Sequence, residues 1–276
     1  MDYAGLDELI SANSAGSMPL AVVLCESAYL ADATIDRLSE VGFDEIVALG
    51  AVGEIAADTG AVKRVRHSIT TAASRTAALN RIISWADGRW IAVVFNGDFL
   101  FYPFSETRTI GDFADFLASE RRTSAAAYTI DLYSDHLNQG DEKFDPRNAY
   151  FDTEGWYGFE REGKQAEVFG GVGWRFEEFL PSPLQRINRP AFFQASEDVA
   201  LRDDLWFEDD EYNAISCPWH NNPTMALMSV RRALALKSHP NFRQAVPSLI
   251  WPGSEPFKWR SDQLIAHGMM EAGQWL

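Results

Sequence analysis

The first hundred residues alternate short apolar runs with the periodic pattern of amphipathic helices. Unbroken apolar runs of strand length suit strands that are buried on both faces of a parallel sheet. Apolar residues that recur every three or four positions predict helices. In chain order the pattern predicts a strand over Leu20–Cys25, a helix after Asp32, a strand over 45–49, a helix over 74–85 and a strand over Trp90–Phe95. This β-α-β-α-β order is typical of a doubly wound sheet.

Polar residues mark where the first of these helices begins and ends. Asp32 is predicted to cap it, because a short carboxylate can accept a hydrogen bond from a free N-H of the first turn. Ile35, Leu38 and Val41 then fall on one side, and Gly42 ends the helix. This side of the helix is therefore expected to cover the sheet.

The chain changes character after residue 100. Thr109 and Asp112 form a capping-box pattern that predicts a helix with an apolar stripe at Ile110, Phe113, Phe116 and Leu117. A strand is predicted over 125–133. The segment 134–190 is rich in Gly, Pro, charged and aromatic residues without long periodic runs. It is expected to form hairpins and loops over the sheet, where binding groups usually lie.

Residues 223–237 give the clearest helix prediction in the second half. Pro223 stands near the first turn, and basic residues stand toward the end: Arg231, Arg232 and Lys237. A final short helix is predicted over 261–270. The expected architecture is a mostly parallel, doubly wound α/β sheet with helices on both faces and an elaborated C-terminal half. The length of 276 residues and the hydrophobic fraction of 46% favour one domain spanning 1–276 with a sizeable core.

The charge of the chain excludes some partners. A net charge of -16, from 24 basic and 40 acidic residues, repels a nucleic-acid backbone or an anionic membrane surface. An anionic ligand would therefore need a local cationic or amide-lined pocket. The acidic N-terminus and the lack of a long apolar run predict no signal peptide and no integral membrane segment. Cys25 and Cys217 lie far apart without metal-binding spacing, which favours a reduced, cytoplasmic setting.

Polar residues follow the first and third predicted strands. Open parallel sheets bind ligands beyond the carboxyl ends of their strands, so Glu26 and the elbow Asn96-Gly97-Asp98 should face one crevice. Asp98 and Asn96 could supply oxygen ligands to Mn2+ or Mg2+, with a ligand's phosphates and water completing the shell. The alternative is a β-hairpin turn, because Asn-Gly between apolar runs is a strong hairpin signal.

The segment after residue 150 mixes acids with large aromatic side chains. Asp152 and Trp156 stand in one such mixture, and Trp174 and Arg175 stand in another. Aromatic faces pack against the C-H surface of sugars, and carboxylates accept hydrogen bonds from sugar hydroxyls. These four residues are therefore predicted to bind a sugar acceptor. Glu177 or Glu178 could serve as the general base. The alternative is an aromatic-clamped turn with a surface Arg-Glu pair.

Two further segments carry candidate chemistry. Trp219 and His220 precede the predicted helix over 223–237, where free N-H groups could receive a phosphate and the imidazole a proton. His220 is thus a candidate catalytic residue and Trp219 a candidate acceptor contact; the alternative is a capping or packing role. The basic cluster at 63–67 could steer an anion, but a solvated segment is the favoured interpretation.

Four blocks of the chain resemble the family 2-like glycosyltransferases with a GT-A fold: 22–26 (Val-Val-Leu-Cys-Glu), 42–47 (Gly-Phe-Asp-Glu-Ile-Val), 78–80 (Ala-Leu-Asn) and 96–100 (Asn-Gly-Asp-Phe-Leu). The resemblance covers 20–135, and two later blocks, at 169–178 and 217–223, are similar to those of bacterial proteins of this kind. It implies a nucleotide-sugar-binding half over 20–135 and an acceptor-side half over 136–276. It also implies donor contacts from Glu26, Asn80, Asn96 and Asp98.

The motifs also depart from the family pattern. The family has two aspartates before Phe-Leu, whereas an ungapped alignment puts Phe95 and Gly97 there; a one-residue slip makes Asn96 and Asp98 the metal pair. The resemblance implies transfer of a sugar from a nucleotide donor, a UDP-sugar first, to a saccharide or other hydroxyl acceptor. The missing aspartates leave a rival: a non-catalytic GT-A domain that binds a glycan or supports a partner enzyme. Glycoside hydrolysis would need two carboxyls facing each other across a cleft.

Overall fold

A computed structural model describes residues 1–13, 16–57, 60–134, 144–159, 167–180, 186–212 and 222–275. Its strands are β1 (Asp2–Tyr3), β2 (Leu20–Cys25), β3 (Glu45–Gly50), β4 (Val62–Arg66), β5 (Trp90–Phe95), β6 (Asp98–Phe101), β7 (Ser124–Asp131), β8 (Tyr150–Asp152), β9 (Tyr157–Phe159), β10 (Glu167–Phe169), β11 (Asn188–Gln194), β12 (Met225–Ser229) and β13 (Ser254–Pro256). Its α-helices are α1 (Leu6–Ala12), α2 (Ala31–Glu40), α3 (Ala72–Trp85), α4 (Ile110–Ser119), α5 (Val172–Arg175), α6 (Arg231–Ser238), α7 (Phe242–Ala245) and α8 (Ser261–Ala266). Short 3-10 helices span Pro146–Asn148, Glu177–Phe179 and Asp210–Tyr212.

Nine strands form one central sheet in the order β1-β4-β3-β2-β5-β11-β7-β12-β6. The β1-β4, β4-β3, β3-β2, β2-β5 and β7-β12 pairs are parallel. The strand β11 runs antiparallel between β5 and β7, and β6 runs antiparallel to β12 at the edge. The predicted α/β architecture with a large, mostly parallel sheet is confirmed.

Helices cover both faces of the sheet because the central strands are apolar on both sides. In β2, Val23 packs in the cluster that includes α2 and α4, whereas Val22 packs in the cluster that includes α1 and α3. Every residue of β2 and of β5 is buried. The unbroken apolar runs of the sequence therefore have the predicted cause.

The capping signals were read correctly at one helix and wrongly at another. Thr109 and Asp112 form the predicted reciprocal box at α4. Asp32, predicted to cap α2, does not do so: the N-cap is Leu30, in the left-handed region at φ 59°. The Asp32 carboxylate instead accepts a hydrogen bond of 2.8 Å from the backbone N-H of Ala57, which ties α2 to the segment after β3.

The prediction of a helix over 223–237 is wrong for its first half. Met225–Ser229 forms β12, between β7 and β6, and only Arg231–Ser238 is helical. Met, Ala and Leu favour helices intrinsically, but all five residues of β12 are buried in the sheet. Tertiary pairing therefore outweighs the local preference.

Two strands lie where loops were predicted. The basic cluster at 63–67 belongs largely to β4, where Lys63 forms a 2.6 Å ion pair with Glu45 of β3; the solvated interpretation is therefore wrong. The strand β11 ends the segment predicted as loops and hairpins, and it contains Pro190. A bulge between Pro190 and Phe192 shifts the register with β7, which accommodates a residue that cannot donate to the ladder.

The Asn96-Gly97 elbow is not a hairpin turn. The strands that it joins, β5 and β6, are not neighbours: β11, β7 and β12 lie between them. Gly97 has φ +87°, which a residue with a side chain rarely adopts. The elbow therefore carries the chain from the centre of the sheet to its edge. Over the described part of the chain, no helix has both the length and the apolar character to cross a membrane.

Candidate functional site

The carboxyl edge of the parallel strands collects most of the charged side chains considered below. The strands β2, β5, β7 and β12 end at this edge, and the antiparallel strands β6 and β11 begin there. Asp98 and Asp131 both pair in register with Ser229 of β12. Residues paired laterally in a sheet point to the same face, so these three side chains form one polar row. Glu26 and Asn96, which were predicted to face one crevice, are joined at this edge by a hydrogen bond.

Asn96 fastens the loop after β2 to the end of β5. Its Oδ1 atom accepts a hydrogen bond of 3.0 Å from the backbone N-H of Glu26. Its Nδ2 atom donates to the Tyr29 carbonyl at 2.9 Å and to the Ser27 hydroxyl at 3.3 Å. The amide thus satisfies backbone groups of a neighbouring loop, which is a positioning role.

Asp98 is buried and faces an arginine. Its Oδ2 atom accepts a hydrogen bond of 3.0 Å from the backbone N-H of Phe95 and lies 3.6 Å from Nη2 of Arg189. Its Oδ1 atom accepts no hydrogen bond from the described residues. Arg189 stands near the start of β11 and also donates to the carbonyl of Val93 in β5 at 3.1 Å. Asp98 therefore neutralises a cation that β11 brings to the edge.

Three arginines surround the ring of Phe95, the last residue of β5. The guanidinium carbon of Arg231 lies 3.7 Å from the ring centroid, that of Arg75 5.3 Å and that of Arg189 5.9 Å. The ring itself is buried, with 5% exposed. The arginines come from three elements, α3, β11 and α6, each of which begins at the carboxyl edge. We call these three residues the arginine cluster.

Glu26 bridges two members of the arginine cluster. Its carboxylate lies 2.7 Å from Nη2 of Arg231 and 3.5 Å from Nη1 of Arg75. With 44% of its side chain exposed, Glu26 lies at the open side of the cluster. Asp98 and Glu26 face the three guanidinium groups, and the charge of Asp203 also acts on Arg75. The cluster thus gathers three cations at one place in an otherwise acidic chain.

Burial acts strongly on Arg189. It lowers the pKa of the Arg189 guanidinium to about 10, and the neighbouring charges of Arg231 and Arg75 act in the same direction, against Asp98. Burial also lowers the pKa of Arg75. Buried cations held against one another cost folding free energy, which is characteristic of sites that receive a ligand of opposite charge.

Asp131 forms a second charged position at the end of β7. Its Oδ2 atom lies 3.4 Å from Nη1 of Arg232 and accepts a hydrogen bond from the backbone N-H of Gly173. Its Oδ1 atom accepts no hydrogen bond from the described residues. Burial raises the pKa of Asp131, and the nearby charge of Asp152 acts in the same direction.

Asp152 is the centre of a buried polar network rather than an open binding group. It accepts hydrogen bonds from Nε1 of Trp251 at 2.7 Å and from the Tyr133 hydroxyl, and its carboxylate lies 3.0 Å from Nε of Arg175. Arg175 also donates to the Leu249 carbonyl at 2.9 Å. Burial raises the pKa of Asp152 against these contacts. Asp152 and Arg175, which were both predicted to contact an acceptor, are therefore engaged in contacts within the protein.

The two predicted acceptor tryptophans of this region differ in their surroundings. Trp156 lines a cavity of about 300 Å3 together with residues of β7, of β10, of the segment before β11 and of the turn after α8: Tyr128, Ile130, Val168, Ile187 and His267 among them. Its Nε1 atom donates to the Asp152 carbonyl at 3.1 Å. Trp174 instead packs on the half-exposed ring of Tyr157, with centroids 5.0 Å apart. Trp156 is therefore the better placed to contact a ligand.

Three other predicted residues, in the part of the chain that the structure describes, make no contact with the arginine cluster: Asn80, Glu177 and Glu178. Asn80 pairs with the backbone of Leu201 through both amide atoms, at 2.8 and 3.1 Å, and so fixes the segment after β11. Glu177 and Glu178 are exposed on their 3-10 helix. Trp219 and His220 lie outside the described residues.

The donor set at the elbow does not fit a conventional divalent cation. Asn96 is committed to backbone groups, and Asp98 offers one oxygen without a partner beside a guanidinium. Over the described ranges, no group of three or more His, Cys, Asp and Glu side chains could hold a metal ion. A cation here would also be repelled by Arg189, so chemistry through a metal receives no support from these side chains.

Sequence reasoning missed the arginine cluster. The predicted elements put Arg231 toward the end of one helix, Arg75 in the first turn of another and Arg189 in a loop-rich segment. One signal was present: Arg231 follows the apolar run of β12 nearly as directly as Glu26 follows β2 and Asn96 follows β5.

No protein-family model matches this chain, and no curated protein matches its sequence.

Proposed function

We propose that the protein is a glycosyltransferase of the GT-A type, which transfers a sugar from a nucleotide-sugar donor to a saccharide or other hydroxyl acceptor. The observation that carries the proposal is the meeting of Glu26, Asn96 and Asp98 at the carboxyl edge of a mostly parallel sheet. Ligands of open α/β sheets bind in the crevice outside this edge. The order of the polar strand ends also matches the family resemblance in the sequence.

The charges at this edge fit the chemistry of such a donor. Transfer breaks the bond between the anomeric carbon and the diphosphate, whose electron pair leaves with the nucleoside diphosphate, and forms a bond to the acceptor oxygen. Cationic side chains stabilise the leaving diphosphate. The acceptor hydroxyl must also lose its proton. Asp131 is the proposed acceptor of that proton, because it has an unpartnered carboxylate oxygen at the same edge and burial raises its pKa.

The acceptor is proposed to enter along the cavity that Trp156 lines. Its walls are largely aromatic and aliphatic, with Thr224, His267 and Glu271 as polar residues. Gly171 lies between this cavity and the carboxyl edge, since a Cβ there would press against both Asp131 and Trp156. A sugar ring on Trp156 would therefore lie near the proposed base.

A panel of UDP-, GDP-, dTDP- and ADP-sugars tests the proposal. Binding is measured by ligand-observed NMR, and release of the nucleoside diphosphate is measured by mass spectrometry with mono- and oligosaccharide acceptors. We expect at least one nucleotide sugar, a UDP-sugar first, to bind and to be consumed. Asp131→Asn should retain the binding and lose most of the consumption. Failure of every donor to bind at millimolar concentration would sink the proposal.

A second candidate is a non-catalytic GT-A domain that binds a glycan or supports a partner enzyme. It is favoured by one observation, the commitment of the Asn96 amide to backbone groups where the family carries a metal ligand. The same experiment separates the two functions. Binding of an oligosaccharide that is lost in Trp156→Ala, without binding of any nucleotide sugar, would establish the second.

A further inference from the structure

We propose that the arginine cluster binds the diphosphate of the donor directly, in place of a divalent cation, and that Glu26 occupies the same site when no donor is bound. The inference rests on the proposed function, because it names the group of the donor that the carboxyl edge recognises. Its ligand class is a diphosphate ester or pyrophosphate. Its residues are Arg75, Arg189 and Arg231, with Glu26 as the internal anion.

The first argument is the convergence of three elements on one rigid platform. Phe95 is fixed at the end of the central strand β5, and the guanidinium carbons stand 3.7 to 5.9 Å from its ring centroid. A guanidinium on an aromatic face keeps its N-H groups free to point sideways. The platform therefore orients several donors toward the same space, which is what a diphosphate with its many oxygens requires.

The second argument is the energetic cost of the arrangement. Burial lowers the pKa of Arg75 and of Arg189, and the charges of neighbouring arginines lower both further. A fold that only needed packing around Phe95 would use aliphatic side chains there. The charge of the chain as a whole is -16, so an anionic ligand needs a local group of cations such as the arginine cluster.

The third argument is the position of Glu26. Its carboxylate contacts Arg231 at 2.7 Å and Arg75 at 3.5 Å, as a phosphate oxygen would. Its backbone is held by Asn96, whereas its side chain is exposed enough to rotate into solvent. A diphosphate carries more charge and more acceptor oxygens than one carboxylate, so it should displace Glu26 without a change in the fold.

The fourth argument is the mismatch with a metal site described above. In the GT-A resemblance, the elbow carboxylates hold a cation that neutralises the diphosphate. Here Asp98 is paired with Arg189 at 3.6 Å, so the elbow holds a guanidinium where the resemblance implies a metal cation. The positive charge is thus supplied by the chain itself.

Calorimetric titration of the full chain with inorganic pyrophosphate tests the inference, once in EDTA and once with Mg2+ or Mn2+. We expect binding in EDTA that weakens as salt is added. Arg75→Gln and Arg231→Gln should each weaken it roughly tenfold, since each removes a charge-assisted contact. Glu26→Gln should strengthen it. Arg81→Gln, on the same helix as Arg75 and ion-paired only to Asp7 among the described residues, is the matched control and should bind as the parent does.

The outcomes separate the inference from the proposed function. Binding that requires Mn2+ and survives both arginine variants overturns the inference, even if nucleotide sugars are consumed. Binding in EDTA that both variants weaken supports it, even if no sugar is transferred, and then only the glycosyltransferase proposal fails. Circular dichroism of each variant excludes unfolding. Arg189→Lys tests the guanidinium of Arg189 while it keeps a positive charge beside Asp98.

Discussion

Glu26 and Arg231 meet across the carboxyl edge, with 2.7 Å between the carboxylate and the guanidinium. One residue follows a strand of the N-terminal half and the other begins a helix near the C-terminus. The contact therefore joins the part of the chain that carries the family resemblance to the part that sequence reasoning interpreted wrongly. Four predictions concern the residues that hold this edge together.

Asp98→Asn should destabilise the fold as well as change ligand binding. The substitution leaves the buried Arg189 without its counter-charge, and breaking a buried pair in this way costs on the order of 3 kcal/mol. Urea unfolding measures the loss. Adding Arg189→Met to Asp98→Asn should recover most of it. Asp262→Asn, which breaks the exposed pair with Arg260, is the control and should leave the unfolding midpoint unchanged. Equal midpoints for Asp98→Asn and the parent would show that the pair does not hold the edge.

Asn96→Ala should lower the free energy of unfolding by about 1 to 3 kcal/mol, because the backbone N-H of Glu26 and the carbonyl of Tyr29 lose their partner. Pyrophosphate affinity should rise, since the loop that holds Glu26 against the arginine cluster is no longer fastened to β5. Asn148→Ala, on the exposed 3-10 helix, is the comparison and should do neither. Normal stability in Asn96→Ala would mean that the loop is held by other contacts.

Gly97→Ala should destabilise the fold by more than the positive φ of this position alone accounts for. A Cβ at this position would lie 3.0 Å from Cγ2 of Val230, and φ is +87°. Gly60 has φ +72° and open space around it, so Gly60→Ala isolates the backbone penalty of about 1 kcal/mol. We expect Gly97→Ala to unfold at a lower urea concentration than Gly60→Ala. The reverse order would exclude a close approach of Val230.

Asp131→Asn should change how stability depends on pH. Burial raises the pKa of Asp131 above its ordinary value of 3.8, so the folded state retains that proton more strongly than the unfolded chain. The stability that this proton contributes is complete below the ordinary value and is lost as pH rises through the raised one. The variant should therefore gain stability relative to the parent as pH rises from 3.8 through the raised pKa.

Unfolding at several pH values in that interval checks the prediction for Asp131. The groups that face its carboxylate are Arg232, the backbone N-H of Gly173 and Asp152. Asp115→Asn, exposed on α4, provides the reference. A relative stability of Asp131→Asn that declines with pH would reverse the assigned sign and remove Asp131 as the proposed base.

The sequence predicted the elements whose signals are local. The buried strands over Leu20–Cys25 and Trp90–Phe95 have the predicted limits, and the box at Thr109 and Asp112 forms as expected. These features depend on neighbouring residues alone. Their order along the chain was enough to place Glu26 and Asn96 at one edge of a parallel sheet.

The parts that failed depend on distant partners. Met225–Ser229 has the composition of a helix, and only pairing with β6 and β7 makes it a strand. Arg189 reaches the site because β11 runs antiparallel, which nothing within that segment indicates. The arginine cluster joins three segments separated by more than a hundred residues at its widest, so its charges are invisible as a motif.

The placement of β11 also has a consequence for synthesis. Its neighbours β5 and β7 both precede it in the chain, so during translation the hydrogen-bonding edge of β5 waits for Asn188–Gln194 to emerge. Until then the nascent chain exposes an apolar strand edge, a surface that favours pairing with other chains. The edge of β5 is thus covered only after about two thirds of the chain has been made.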